Sequence, residues 1–402
     1  MTATTWVEGA AGSLFDVDNL PYGVFSRPGE DPRVGVRIGE EVLDLAPVAA
    51  SEMLDVHQVF QEGSLNPLMA EGPTVNASVR RWVTGLLTDE TERELVEPHL
   101  VPLAEVSLHL PVQVGDYVDF YASLDHASNV GRIFRPDAEP LLPNWRHLPV
   151  GYHGRSGTVV ASGTDIVRPS GQRKAPDEEA PTYGPSGRLD IEAELGFVVG
   201  TPSAIGDRVG VDAFAQHVFG VVGLNDWSAR DIQAWEYVPL GPFLGKSFAT
   251  SVSHWVTPLE ALGAAWVDLP GQDPKPLPYL GPDGARGLDI DVEVVLNGQV
   301  VSRPPYRTMY WSPAQMLAHL TVNGASVRTG DLYASGTISG PEPDQRGSFL
   351  ELSWGGKEPF GPDDRTFLED GDEVVLRYTA PGTGGGRIAL GEVAGTILPS
   401  RD

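Results

Sequence analysis

Glycine and proline interrupt this chain so often that regular structure must come in short pieces. Together they make up 82 of 402 residues, 47 glycines and 35 prolines. Proline breaks the interior of a helix and glycine weakens it, whereas both are favoured in turns. The remaining sequence is still 41% hydrophobic, which is ample for a large core. The chain therefore predicts a mainly β fold that is rich in turns.

Charge and residue usage exclude several classes of protein. The chain has 28 Lys+Arg against 55 Asp+Glu and no cysteine. Nucleic-acid binding depends on clustered basic residues, so the net charge of −27 argues against it. Without cysteine there is no disulfide, thiolate nucleophile or cysteine-based metal site. We find no signal peptide and no apolar run near the roughly 20 residues of a membrane span, so we expect a soluble, cytoplasmic protein.

A change in residue usage divides the chain in two. The first part contains a predicted hairpin over 33–45 and an amphipathic helix over 75–87, but no chemical motif. A proline-rich connector at 97–111 follows. Beyond it, aromatic residues, histidines and Asp-aromatic pairs become frequent. We predict an N-terminal domain over 1–111 and a C-terminal domain, carrying the chemistry, over 112–402.

The second part is predicted to contain many strands and few helices. Strands are predicted at 189–199, 218–224, 288–295, 374–378 and 388–397. An Asn297-Gly298 hairpin turn follows the third of these. Ser312 followed by Pro313 is a typical helix start and predicts a helix over 314–320. A second helix is predicted over 211–217. This pattern favours a mainly antiparallel β fold of sandwich or roll type.

Two stretches alternate acidic and apolar residues. On a strand, Glu192 and Glu194 would present adjacent carboxylates on one face. The alternative is a solvated sheet face, and Asp289, Asp291 and Glu293 repeat the same alternation where solvation is the expected state. Periodicity alone does not separate a metal site from a solvated face.

Two further carboxylates bear on that choice. Asp226 follows a strongly apolar predicted strand, where an unpaired buried carboxylate would be costly. Asp119 lies in a run rich in aromatic residues. If both converge with Glu192 and Glu194, the all-oxygen ligand set selects a hard cation such as Mg²⁺, Ca²⁺ or Mn²⁺.

Other polar residues near these carboxylates could carry chemistry. His126 lies seven residues after Asp119, and an imidazole can take a proton from water at neutral pH. The alternative is a surface or packing histidine. Arg230, Gln233 and Lys246 could stabilise an oxyanion or enolate beside a metal, although Arg230 could equally pair with surface acids.

Several longer runs carry a specific resemblance. They are residues 119–131, 142–155, 225–233, 237–247, 333–340 and 350–354. Together they closely resemble the fumarylacetoacetate hydrolase family over about 112–402, and residues 1–111 resemble it more loosely. The resemblance implies an N-terminal SH3-like barrel, a C-terminal β-sandwich roll, and a homodimer with one metal centre per subunit.

The resemblance also implies an activity and a set of roles. The reaction is hydrolysis of a carbon–carbon bond of 4-fumarylacetoacetate, a β-diketo acid, to fumarate and acetoacetate, which ends tyrosine and phenylalanine catabolism. Metal ligands for Ca²⁺ or Mg²⁺, with Mn²⁺ as a further option, are Asp119, Glu192, Glu194 and Asp226. A second Mg²⁺ site maps to Asp226, Lys246 and Thr250. The catalytic set is His126 as base, Glu351 as its orienting acid, and Arg230, Gln233 and Lys246 at the oxyanion. Substrate contacts map to Tyr121, Arg135, Tyr152, Gln233, Tyr237 and Thr337.

Two alternatives stay open at this point. One is a related oxo-acid hydrolase or decarboxylase of the same superfamily, whose members usually lack the Tyr152 loop and the full set of Arg230, Gln233 and Tyr237. The other is a non-catalytic calcium-binding β module. Replacing His126 with alanine would distinguish an enzyme from the calcium-binding module. An enzyme would keep its metal and lose turnover, whereas the module would keep its metal and have no turnover to lose.

Overall fold

A computed structural model describes residues 4–175, 177–281, 284–361 and 364–401. The strands are β1 (Tyr22–Ser26), β2 (Arg33–Ile38), β3 (Glu41–Asp44), β4 (Leu100–Pro102), β5 (Ser107–Leu108), β6 (Tyr117–Phe120), β7 (Gly151–His153), β8 (Val159–Ala161), β9 (Ile166–Val167), β10 (Ser170–Arg173), β11 (Thr182–Pro185), β12 (Leu189–Asp190), β13 (Ala193–Val199), β14 (Val218–Asp226), β15 (Ser228–Ala229), β16 (Thr250–Val252), β17 (Trp255–Pro258), β18 (Trp266–Asp268), β19 (Arg286–Leu288), β20 (Asp291–Leu296), β21 (Gln299–Ser302), β22 (Leu332–Ala334), β23 (Glu373–Pro381) and β24 (Arg387–Leu398). The helices are α1 (Leu45–Ser51), α2 (Asn66–Ala70), α3 (Pro73–Thr88), α4 (Arg93–Val96), α5 (Leu124–Phe134), α6 (Phe214–His217), α7 (Arg230–Glu236), α8 (Pro313–Thr321) and α9 (Phe349–Leu352). The predicted mainly β fold is confirmed.

A large mixed sheet runs through the molecule. Its main order is β4-β3-β2-β1-β17-β14-β13-β22-β6-β7, and β22 pairs with β6 in parallel. One edge of β1 pairs with β2, while its other edge is shared between β5 and β17. The N-terminal strands therefore continue the C-terminal sheet, and no closed barrel forms among the described residues. The predicted SH3-like barrel is not confirmed.

Both faces of this sheet are covered. A second sheet, in the order β21-β20-β23-β24-β9, contributes residues such as Tyr378 and Leu390 to the core over one face, together with Phe197 of β13. On the other face, Val198 packs with residues of the N-terminal region, including Val83 of α3. Strand β14 is consequently buried along its whole length. A polar side chain on either face of β13 or β14 must find its partners inside the protein.

Local predictions agree well with these elements. The hairpin β2–β3 and helix α3 lie where the sequence places them. At the predicted turn between β20 and β21, Asn297 and Gly298 both have positive φ, 49° and 79°. Ser312 caps α8 through a capping box with Gln315.

Two predicted elements differ from the structure. The strand predicted at 189–199 is interrupted between β12 and β13, so Glu192 lies in the break. The helix predicted over 211–217 is α-helical only in α6 and begins as a 3-10 turn. In the described part of the chain, no helix has the length and apolar character needed to span a membrane.

Candidate active site

The site begins where one face of the large sheet changes from apolar to acidic. Along this face, Tyr117 is followed by Asp119 on β6 and Leu224 by Asp226 on β14. On β13, Val198 and Glu194 share the face with Gly196 between them. Residues two apart share a face of a strand. The N-terminal region packs over the apolar part of this face, and the carboxylates extend beyond that part.

Four carboxylates converge there. One oxygen each of Asp119, Glu192, Glu194 and Asp226 lies within 4.8 Å of the others. The amide of Asp226 donates to the carbonyl oxygen of Glu192 at 3.1 Å, which holds the break before β13 against the end of β14. All four residues are at most 5% exposed. The structure thus brings together the four predicted metal ligands.

The cluster carries more negative charge than its neighbours compensate. Burial, followed by repulsion from Asp226, raises the pKa of Asp119 well above its usual range. Burial and then Asp119 raise the pKa of Glu194 in the same way. Oxygen Oδ1 of Asp119 and Oε1 of Glu194 are buried with no hydrogen-bond partner among the described residues. A buried carboxylate oxygen without a donor is costly, and a hard divalent cation would satisfy both.

Two cationic side chains compensate part of the cluster. The Lys246 ammonium donates to Glu192 at 2.6 Å and to Asp226 at 2.8 Å. Arg230 donates through Nη1 to Glu192 at 2.7 Å. Although burial alone would raise the pKa of Glu192, Lys246 and then Arg230 overcome it and hold that pKa below its ordinary value. The Thr250 hydroxyl donates to Asp226 at 2.8 Å.

The same contacts involve the residues predicted for a second metal site. Asp226, Lys246 and Thr250 are adjacent, but Lys246 points its ammonium group at the carboxylates. A cationic ammonium cannot ligate a metal ion, so only the backbone carbonyl of Lys246 could serve as a ligand.

A histidine–carboxylate pair lies beside the cluster. His126 Nδ1 is 2.7 Å from Glu351 Oε2, and both side chains are buried. Glu351 also accepts hydrogen bonds from Asn129 at 3.0 Å, Ser339 at 3.0 Å and Ser348 at 2.8 Å. Burial opposes ionisation, but His126, Asn129 and Ser348 outweigh it and lower the pKa of Glu351. Glu351 is therefore an ionised, fixed acceptor for one nitrogen of the imidazole.

The residues predicted to contact substrate differ in what they touch in the structure. The ring of Tyr121 packs edge-on against His126, with centroids 5.2 Å apart. Tyr152 is opposite Asp119 in the β6–β7 pairing. Thr337 is buried, and its hydroxyl has no partner among the described residues. Tyr237 stands apart, because it is 43% exposed on the segment after α7.

The two remaining substrate candidates differ in how firmly they are held. Gln233 accepts from Arg230 at 3.2 Å, so it belongs to the network around Glu192. Arg135 donates to the carbonyl oxygen of Pro140 at 2.9 Å and keeps a buried Nε without a partner in the described ranges. A cleft of about 330 Å³, lined in part by Tyr152, Asp226 and Lys246, leads to the carboxylates.

Some residues of the network were not predicted. Asp190 is fully buried and pairs with Arg230 at 2.7 Å. Asn129, Ser339 and Ser348 hold Glu351. The signal for Asp190 was its place in the acidic alternation before Glu192. Asn129 lies 222 residues from Glu351, so local pattern contains no signal for it. Ser348 lies three residues before Glu351 and caps α9, so its signal was the Ser-x-x-Glu spacing of a helix start.

Comparison with known families identifies relatives over nearly the whole chain. The family described as fumarylacetoacetate (FAA) hydrolase C-terminal matches residues 117–397. The family described as fumarylacetoacetase N-terminal matches residues 18–111.

Individual relatives agree with these matches. A fumarylacetoacetase from Homo sapiens is 47% identical over 410 residues, covering 97% of this chain and 98% of the relative. Among solved structures, a fumarylacetoacetate hydrolase from psychrophilic Exiguobacterium antarcticum superposes with a TM-score of 0.56 at 18% identity, covering 94% of this chain and 99% of that one. A maleylpyruvate hydrolase from Sphingobium sp. SYK-6, in complex with manganese(II) and pyruvate, gives 0.50 at 17% identity, covering 95% and 100%. At these identities the two structures establish a common fold.

Proposed function

The chain belongs to the fumarylacetoacetate hydrolase family, and on that premise we propose that it hydrolyses a carbon–carbon bond of 4-fumarylacetoacetate to fumarate and acetoacetate. It is a hydrolase acting on carbon–carbon bonds in ketonic substances. The observation that carries its chemistry is the cluster of four buried carboxylates beside the His126–Glu351 pair. The comparisons favour neither the related oxo-acid enzymes nor a non-catalytic module.

Asp119, Glu192, Glu194 and Asp226 would hold one divalent cation. Their oxygen-only donor set, with two buried oxygens that lack a partner in the described part of the chain, fits Ca²⁺, Mg²⁺ or Mn²⁺. When bound, such a cation polarises a ketone and stabilises the enolate formed when the carbon–carbon bond breaks. A second Mg²⁺ site at Asp226, Lys246 and Thr250 is part of the proposal.

His126 is the proposed general base. Because its Nδ1 is held by Glu351 at 2.7 Å, Nε2 is the nitrogen left to take a proton from water. The ionised Glu351 fixes the tautomer of the ring and stabilises the imidazolium that forms. The hydroxyl of water becomes part of the fumarate carboxylate, and the carbon of the departing acetoacetate gains a proton.

Positive groups would stabilise the charges that develop. Arg230 keeps its Nη2 buried and free of partners among the described residues, while Nη1 and Nε are fixed by carboxylates. We assign Arg230, Gln233 and Lys246 to the oxyanion and leaving group. Arg135 suits a substrate carboxylate because a guanidinium can bind it with two parallel hydrogen bonds. Tyr121, Tyr152, Gln233, Tyr237 and Thr337 complete the proposed contacts.

Turnover of the named substrate tests the proposal directly. Purified protein with Mg²⁺, Ca²⁺ or Mn²⁺ should convert fumarylacetoacetate to equal amounts of fumarate and acetoacetate, and a chelator should stop the conversion. His126→Ala should lower kcat by about 10³-fold while cation binding persists, since a general base typically contributes 10²–10⁴-fold. His319→Ala, which removes a half-buried imidazole bonded to Tyr279, is the control and should be fully active. No fumarate from the metal-loaded protein would reject the function.

Three further predictions belong to this proposal. We propose an N-terminal domain over 1–111 and a C-terminal catalytic domain over 112–402, which the two family matches support. The homodimer and the cytoplasmic location stay predictions. Light scattering of the purified protein measures the oligomeric state.

A further inference from the structure

Asp190 is a fully buried carboxylate to which the proposed chemistry gives no role. Its Oδ1 accepts hydrogen bonds from the amides of Ile191 and Phe349, both at 2.7 Å. Its Oδ2 accepts from Arg230 Nε at 2.7 Å and from the amide of Leu350 at 2.9 Å. Each oxygen thus accepts two hydrogen bonds, so the side chain has a single orientation.

Those donors belong to two different halves of the candidate site. Arg230 is bonded to the metal-ligand candidate Glu192, so it lies on the metal side. The amides of Phe349 and Leu350 belong to the first turn of α9. Because Glu351 of the same helix is bonded to His126, α9 lies on the base side. One carboxylate therefore contacts both halves, although residues 190, 230 and 349 are far apart in sequence.

We infer that Asp190 is a positioning residue that fixes Arg230 and the Glu351-bearing helix α9 relative to each other. This inference rests on the proposed function. Asp190 itself reaches neither the four-carboxylate cluster nor His126; it acts on reaction geometry through the groups it holds. Shifts of about 1 Å in such groups can cost about 10²-fold in rate, and supporting residues of metal sites typically contribute 10–100-fold.

Asparagine is an informative replacement at this position. It has one acceptor oxygen and one NH₂ group, so either orientation points NH₂ at two of the four donors. Asp190→Asn should lower kcat about 10–100-fold with KM changed less than about 3-fold, because ground-state binding does not depend on the alignment. Mn²⁺ affinity, measured by calorimetry, should change less than kcat does, because Glu192 keeps its bond to Lys246.

Asp372→Asn is the matched control. Asp372 is also buried and also accepts an arginine, Arg365 at 3.0 Å, together with the amide of Glu369 at 2.7 Å. It lies in the turn before β23, and its bonds reach neither half of the site. This variant should keep the parental kcat and KM. It therefore controls for the effect of losing any buried carboxylate.

Double variants test the two links separately. If Asp190 acts through Arg230 and α9, then Asp190→Asn should add less than about 3-fold to the loss already caused by Arg230→Lys or by Glu351→Gln, as expected for coupled residues. A folded Asp190→Asn enzyme with a kcat within 2-fold of the Asp372→Asn enzyme would overturn the inference, as would fully additive losses in both backgrounds.

A spectroscopic readout keeps this inference separate from the proposed function. In protein labelled with ¹⁵N-histidine, Asp190→Asn should shift the resonance of the His126 Nδ1 proton, and Asp372→Asn should leave it unchanged. An unchanged resonance would reject the inference even if the parent protein proved inactive on fumarylacetoacetate. If Asp190→Asn does not fold, Asp190→Ser, which leaves room for a water acceptor, is judged by the same criteria.

Discussion

Residues 189–195 and 288–294 share one alternation of acidic and apolar residues but have opposite environments. We call them the buried acidic stretch and the exposed acidic stretch. Their apolar members are buried alike, with Ile191 and Ile290 both 0% exposed. The acidic residues differ: residue exposure is 0% for Asp190, 5% for Glu192 and 0% for Glu194, whereas side-chain exposure is 31% for Asp289, 48% for Asp291 and 38% for Glu293.

The difference comes from what lies over the acidic face. Glu192 and Glu194 lie just before and on β13, a strand of the sheet that is covered on both sides. They therefore meet other carboxylates, and Glu192 also meets Lys246 and Arg230. Strand β20 belongs to the second sheet, whose outer side faces water. There the acids pair with exposed arginines, as Asp291 does with Arg307 at 2.9 Å and Arg387 at 2.7 Å. The same pattern thus yields a candidate metal site or a solvated face.

The largest expected difference between the stretches is in turnover. Glu194 and Glu293 occupy the same place in the alternation, so Glu194→Gln and Glu293→Gln are a matched pair. Glu194→Gln should lower kcat/KM by about 10³-fold, because the loss of a cation ligand removes several kcal/mol of transition-state stabilisation. Glu293→Gln should leave it within 2-fold. Steady-state assays with fumarylacetoacetate measure both, and equal losses would contradict the assignment.

A second prediction concerns the arginine partners and the free energy of unfolding. Arg230→Ala leaves buried Asp190 without its cation and should destabilise the protein by about 3 kcal/mol. Arg307→Ala removes two exposed ion pairs, with Asp289 and Asp291, and should cost less than about 1 kcal/mol. Urea unfolding in the presence of chelator measures both values. Similar costs for the two variants would show that burial does not distinguish the stretches energetically.

Of the two stretches, only the buried acidic stretch should matter for the stabilisation of the protein by a bound cation. A ligand present at 100 times its Kd raises the free energy of unfolding by about 2.7 kcal/mol. We expect this gain with Ca²⁺ or Mn²⁺ for the parent protein and for Glu293→Gln, and its loss in Glu194→Gln. Thermal unfolding with cation and with chelator measures the shift. A gain that survives in Glu194→Gln would place the cation elsewhere.

The smallest expected effect is at the centre of the exposed acidic stretch. Asp291→Asn breaks its pairs with Arg307 and Arg387, both of which are partly exposed. The free energy of unfolding should fall by less than about 1 kcal/mol in dilute buffer, and the loss should shrink in about 1 M salt because exposed pairs are screened. Urea unfolding at the two salt concentrations tests this, and a larger, salt-independent loss would indicate a buried role.

Local pattern predicted several individual elements but not their assembly. The hairpin β2–β3, helix α3, the Asn297-Gly298 turn and the start of α8 depend on residues close in sequence, and all were found. The break at Glu192 and the joining of β1 to β17 depend on distant partners. Periodicity carries no information about such partners.

The residues of the candidate site were likewise predictable from the sequence only in part. The alternation indicated Glu192 and Glu194, the surrounding sequence added Asp119 and Asp226, and the family resemblance then supplied a role for each residue. Neither pointed to Asp190 as a link, because its four donors come from three separate segments.

The order of residue types by itself determined the mainly β character, the positions of turns and which side chains share a strand face. Tertiary structure alone decided which acidic face is buried and that Asp190 bonds both Arg230 and the first amides of α9. The physical reason is that backbone geometry makes side chains alternate locally, whereas the charge and dielectric around a carboxylate depend on whatever chain segment folds over it.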